Sequence, residues 1–173
     1  LDERFRLLTG GPRTRRERHH TMRATVDWSF MLLDDVERTV FARLSVFAGG
    51  FTPDAAEAVA GDESESLDRW TVVDALGRLV DKSMVSTSED ADGTVRHMLL
   101  ETLRQYASER LDERAETAVV RDRHARWALA FAVRINHEAM GPDDVRALRA
   151  LIAERDNLAA AVEWAVSTGD AEL

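Results

Sequence analysis

Residues 94–107 read TVRHMLLETLRQYA, and the fold turns on how that stretch is divided. Thr94 to Met98 has the short alternating character of a strand, whereas from Leu99 onward apolar residues recur at helical spacing. No Gly, Pro or conventional N-cap residue separates the two patterns. A strand that runs straight into a helix is how many DNA-binding folds close a β-wing, which makes the order of the flanking segments decisive.

Upstream, Asp34 and Asp35 are placed to cap a helix carrying Val36, Val40, Leu44 and Phe47 at helical spacing. AGGF, residues 48–51, is expected to stop it through a glycine in the left-handed region. Thr52 as N-cap, Pro53 at the first helical position and Gly61 past the end punctuate the next helix. A third helix spans about 67–82, with Trp70, Val73, Leu76 and Val80 on the face expected to pack. Two strand candidates, SMVSTS and TVRHML, flank EDADG, whose Asp92-Gly93 has hairpin-turn chemistry. In the fourth helix Leu100, Leu103, Ala107 and Leu111 form the expected apolar line.

Helix, helix, helix, hairpin, helix is the order of a winged-helix domain. Beyond it, about 116–140 carries Val120, His124, Trp127, Phe131 and Ile135 on one face. About 143–168 reads as one further helix with Val145, Leu148, Ile152, Leu158, Val162 and Ala165. Joined by the short GPDD turn, the pair predicts an antiparallel helical hairpin like those of helical repeats. The chain is therefore read as mainly α. Residues 1–33 are a helix end, an Arg-rich connector and a short helix with Val26 and Phe30; 34–113 are a winged-helix domain with a small β-hairpin wing; 114–173 are a helical hairpin of tetratricopeptide-like type. Neither end reads as a natural terminus, so a longer parent protein is expected.

Charge bears on function. The chain has no cysteine and a formal net charge of −9. Residues 1–23 hold seven arginines against three acids, whereas 24–113 hold nineteen acids against eight basic residues. In the third helix Asp68, Asp74 and Asp81 balance Arg69, Arg78 and Lys82, and the wing tip carries Glu89, Asp90 and Asp92. Binding driven by release of counterions from DNA gains nothing from a wing of the same sign as DNA. DNA is thus not the expected partner of this domain. Arg13, Arg15, Arg16, Arg18 and Arg23, with His19 and His20, form a basic connector that either grips a phosphate or straps the acidic domain beside it.

Catalytic chemistry is not expected in these residues. No G-x-x-x-x-G-K-[ST] loop is present, and the five histidines show no H-x-x-x-H pairing. His124 falls on an apolar helix face, where a core role is the ordinary one. No metal site, no cofactor within the chain and no membrane span are read from it, and a cytoplasmic location is expected.

Five motifs carry a family resemblance: RHHTMRATVDWSFMLL, LSVFAGGFTPDAAEAVAG, LVDKSMV, LLETLRQYASERL and RDNLAAAVEWA. In this order and spacing they resemble the segment that follows the nucleotide-binding core in bacterial NB-ARC-like (STAND) signal-transduction ATPases, many of them transcriptional regulators. The resemblance implies a parent protein that binds ATP or ADP. It also implies that the winged helix acts as a lid on that core, and that the helical region senses protein partners. It places Leu99, Leu100 and Glu101 where the family has a nucleotide-sensing Met-His-Asp triplet. Leu100 cannot donate a hydrogen bond to phosphate. The connector arginines, Glu101 and Arg104 are the expected interdomain contacts.

Overall fold

The computed structural model describes residues 23–62, 67–90, 93–140 and 144–169. The chain divides into two units between Asp34 and Asp35. In the first, helix α1 covers 23–31, and the Ser29 hydroxyl donates to the Thr25 carbonyl within it. The second unit holds all other described elements.

Helix α2 (Asp35–Arg43) has acids in its first turn and an arginine in its last, as the helix dipole favours. It buries Val40, Phe41 and Ala42. The sequence reading carried this helix through Phe47 to a left-handed glycine cap, and the structure corrects both points. A 3-10 turn over Leu44–Val46 tightens the end, and Phe47 is extended at φ −72°, ψ 122°. Among the described glycines only Gly93 and Gly169 have positive φ. Gly50 is required by proximity instead: a Cβ there would lie 3.2 Å from the His97 carbonyl oxygen and 3.3 Å from Arg96 Nε.

Helix α3 (Pro53–Ala60) has the expected punctuation, with Thr52 Oγ1 accepting from the Ala55 amide at 3.3 Å and Gly61 closing on the Glu57 carbonyl. Helix α4 (Arg69–Asp81) starts at Asp68, whose carboxylate accepts from the Thr71 amide at 2.8 Å. Strands β1 (Ser86–Glu89) and β2 (Val95–Met98) pair antiparallel with Thr87 opposite His97. Gly93, at φ +83°, donates to the Asp90 carbonyl in the turn between them; Asp92 lies outside the described residues. On the far side of β2, Phe51 and His97 exchange both backbone hydrogen bonds at 2.8 Å. That single bridge gives the wing a third edge.

Helix α5 (Glu101–Glu113) begins at Leu100, which has no side-chain cap. Leu100, Glu101 and Thr102 are all exposed, so water reaches the free amides of the first turn. The junction in residues 94–107 thus passes from strand to helix with no side-chain cap. Leu100 is correspondingly not on the packing face, which consists of Leu103, Tyr106, Ala107 and Leu111. Arg43, the last residue of α2, ties three segments together: Nε donates to Glu116 at 2.7 Å, and Nη1 donates to the Ala60 carbonyl and to Asp62.

Helix α6 (Thr117–Ala139) buries the expected face, with Trp127 half-buried. Phe47 stacks on Phe51 at 4.7 Å and meets His124 and Trp127 edge-on at 5.1 and 5.6 Å. The second arm of the hairpin is two helices, α7 (Asp144–Ala153) and α8 (Arg155–Thr168), where one was expected. The break falls at Glu154, whose side chain is buried. The buried line is Ala147, Asn157 and Ala161, while Val145, Leu148, Ile152 and Val162 face outward. Small residues let α7 and α8 lie close against Phe131, Ile135, Ala125 and Ala128 of α6. Trp164 Nε1 donates to Asp122 at 2.8 Å, which fixes the antiparallel alignment.

Burial, reinforced by the charge of Arg121, pushes the His124 pKa down to about 4. An unfolded histidine titrates near 6.5, so between there and about 4 the unfolded chain takes up a proton that the fold excludes. This contribution to stability is complete above pH 6.5 and is lost on acidification, at no more than about 1.4 kcal/mol per pH unit. In urea unfolding at pH 7 and pH 5, His124→Phe is expected to lose less stability between the two than the unaltered chain.

Candidate functional site

The face by which a winged helix meets its partner is built from α4 and the wing. Hydrogen bonds from Thr71 hold the Asp68 carboxyl below the usual carboxylate range and set the start of α4. Val72, Ala75, Leu76 and Leu79 are its buried stripe. The expected stripe was rotated: Trp70 is 75% exposed and Val73 38%, so both stand on the outward face with Asp74 and Gly77. The end of α4 turns through Ser83, at φ +57°, into β1.

Each cation of α4 meets a carboxylate. Glu37 of α2 is completely buried and accepts from Lys82 Nζ at 2.6 and 2.7 Å and from Arg78 Nε at 3.1 Å. Arg78 also bonds Asp74 one turn earlier. Arg69 lies 3.2 Å from Glu57 and 3.5 Å from Asp54 of α3. Lys82 and Arg78 keep over a third of their side-chain surface in water. Their charge is thus offset by a carboxylate that itself has no access to solvent.

In the wing the one arginine of the two strands is turned inward. Arg96 Nη1 donates to Glu154 at 2.6 Å, and Nη2 donates to the carbonyls of Gly50 at 2.6 Å and Ala153 at 3.2 Å. Asn157 completes the cluster. Its Nδ2 donates to Glu154 and to the Gly50 carbonyl, and its Oδ1 accepts from the amides of Ala48 and Gly49. Burial lowers the His97 pKa, which keeps that imidazole neutral at physiological pH. Glu89 and Asp90 stand exposed at the wing tip.

The residues singled out in the sequence fall elsewhere. Leu99 is buried and Leu100 exposed, beside Glu101, whose carboxylate accepts from Arg104 at 2.9 and 3.0 Å and from Gln105 at 2.8 Å. Those partners hold the Glu101 carboxyl below its ordinary range. Arg23 is exposed at the start of α1, and Arg13, Arg15, Arg16 and Arg18 lie outside the described residues. The structure does not bring Glu101 or Arg104 to the Arg96 cluster. Sequence reasoning missed Glu37, Glu154 and Asn157. The signal for the last two was a polar pair three residues apart, set between the apolar Ile152 and Leu158.

No group of three or more His, Asp or Glu side chains among the described residues is arranged to hold a metal ion. No helix of the described residues is long and apolar enough to cross a membrane.

Residues 33–112 match the family model described as a winged helix-turn-helix domain. Over 169 residues, 98% of this chain, the sequence is 43% identical to a Mycobacterium tuberculosis (H37Rv) protein provisionally named an HTH-type transcriptional regulator. A Mycobacterium bovis protein with the same provisional name matches at the same identity and length. The chain spans 19% of the length of each of these relatives. It is also 40% identical over 124 residues, 72% of its length, to a second M. tuberculosis protein named only as uncharacterized, of which it covers 31%. No solved structure matches.

Removing one partner of a buried ion pair leaves an uncompensated charge, which costs about 3–5 kcal/mol. Glu154→Gln, which leaves the buried Arg96 guanidinium without its counter-charge, is expected to lose stability on that scale in urea unfolding, whereas Glu101→Gln, in an exposed pair, is expected to change it by less than about 1 kcal/mol.

Proposed function

We propose that this winged helix-turn-helix domain and its helical hairpin form a non-catalytic regulatory module of a longer transcriptional regulator. The winged helix clasps polypeptide instead of reading DNA. On this reading its partner is the nucleotide-binding core of the same protein, which holds ATP or ADP. The module acts as a lid on that core, and the helical hairpin begins a protein-sensing array. The observation that carries the reading is the pairing of every cation on α4 and the wing strands with a carboxylate: Arg69 with Asp54 and Glu57, Arg78 and Lys82 with Glu37, and Arg96 with Glu154.

A reader needs cations for phosphate and Arg, Asn or Gln for base edges. On the outward face of α4 stand Trp70, Val73 and Gly77. An exposed tryptophan beside a small-residue position is the kind of anchor that protein interfaces use. Supporting the nucleotide-lid part are the resemblance of the five motifs to those of signal-transduction ATPases and the much greater length of the relatives.

Two measurements test this. At about 50 mM salt, where non-specific binding to phosphate is strongest, the chain is expected to leave the anisotropy of labelled duplex DNA unchanged at micromolar protein. Tight, sequence-dependent binding replaces the reading with a DNA-binding winged helix. In the longer protein, Trp70→Glu is expected to speed release of a fluorescent ADP analogue; an unaltered release rate sinks the lid.

A further inference from the structure

A groove of about 830 Å³ opens between the wing and the helical hairpin. Trp127 and Phe131 of α6, half-buried and buried, line its apolar part. Arg134 of α6, Arg146 and Arg149 of α7, Asp54 of α3 and Asp90 of the wing are among its charged lining residues. Glu154 also borders it, but its two oxygens are committed to Arg96 and Asn157.

The three arginines differ from the cations of α4 and the wing. Arg146 and Arg149, one helical turn apart and both exposed, make no ion pair among the described residues. Arg134 lies over the Phe131 ring at 5.4 Å, and Glu138 is 3.9 Å away, at the margin of an ion pair. In a chain of net charge −9, Arg146 and Arg149 bring two positive charges without an ion pair among the described residues beside an aromatic surface.

We propose that the groove is a docking site for an acidic peptide segment with apolar anchors. Leucine or phenylalanine side chains of the segment lie on Trp127 and Phe131, and carboxylates on either side of them meet Arg134, Arg146 and Arg149. A nucleic-acid duplex fits less well, because Asp54 and Asp90 in the lining repel phosphate. The exposure of Arg146 and Arg149, one helical turn apart, suits a segment that runs past the aromatic patch. This site uses no residue of the outward face of α4 and stands or falls apart from the reading given above.

The probe is a fluorescein-labelled peptide of about 16 residues with Leu and Phe at helical spacing and Asp and Glu elsewhere. A control replaces the acids with lysine. With the full chain, the acidic peptide is expected to raise anisotropy saturably and the lysine peptide not to. Arg146→Glu/Arg149→Glu is expected to weaken binding roughly tenfold or more, while Arg126→Glu, exposed on α6 outside the groove, leaves it unchanged. Trp70→Glu is likewise expected to leave it unchanged, which separates this site from the α4 face. Equal binding of the two peptides, unaltered binding by the double variant, or stronger competition by duplex DNA than by unlabelled acidic peptide overturns the proposal.

Discussion

The side chain of Arg96 holds the wing, the 48–50 loop and the helical hairpin together. Buried guanidinium is tolerated only where its donors are met, and here Glu154 and the carbonyls of Gly50 and Ala153 meet them. Asn157 accepts two loop amides and donates to both Glu154 and the Gly50 carbonyl. Such a cluster adds little net stability compared with an apolar replacement, but it specifies one arrangement, because any shift leaves buried polar groups unmet. The glycine at position 50 follows from it, since a Cβ would crowd Arg96 and the β2 backbone. So does the break between α7 and α8, where Glu154 is drawn toward the wing.

The same economy governs the outward face. A winged helix that reads DNA leaves its cations for phosphate, whereas here Glu37 sits beneath α4 and takes up both Arg78 and Lys82. What remains outward is Trp70 and Val73, with acids at the wing tip. The fold is that of a winged helix-turn-helix domain, and the cations of α4 and the wing strands lie against carboxylates of the same chain.

Element order was legible in the sequence because capping and turn chemistry are local. Thr52-Pro53, Asp68 and Gly93 each act where their residue type leads one to expect. Which face of a helix packs was less legible. In α4 the expected stripe of Trp70, Val73, Leu76 and Val80 shares only Leu76 with the buried one, which is completed by Val72, Ala75 and Leu79. In α7 and α8 Val145, Leu148, Ile152 and Val162 misled in the same way, and Ala147 and Ala161, with the expected Leu158, make the contact. The polar clusters were illegible for a different reason. Arg96 and Glu154 are 58 residues apart, and Glu37 and Lys82 are 45 apart. No local pattern encodes such a meeting.

That separation also sets an order of events during synthesis. Ala48 and Gly49 find their acceptor in Asn157, 109 and 108 residues downstream. A nascent chain that has released the whole winged helix from the ribosome still lacks the groups that fix its loop and bury its wing arginine. Long-range closure of this kind is slow relative to helix formation. The wing therefore acquires its final rigidity last, when α8 arrives, although its strands are made well before that helix is translated.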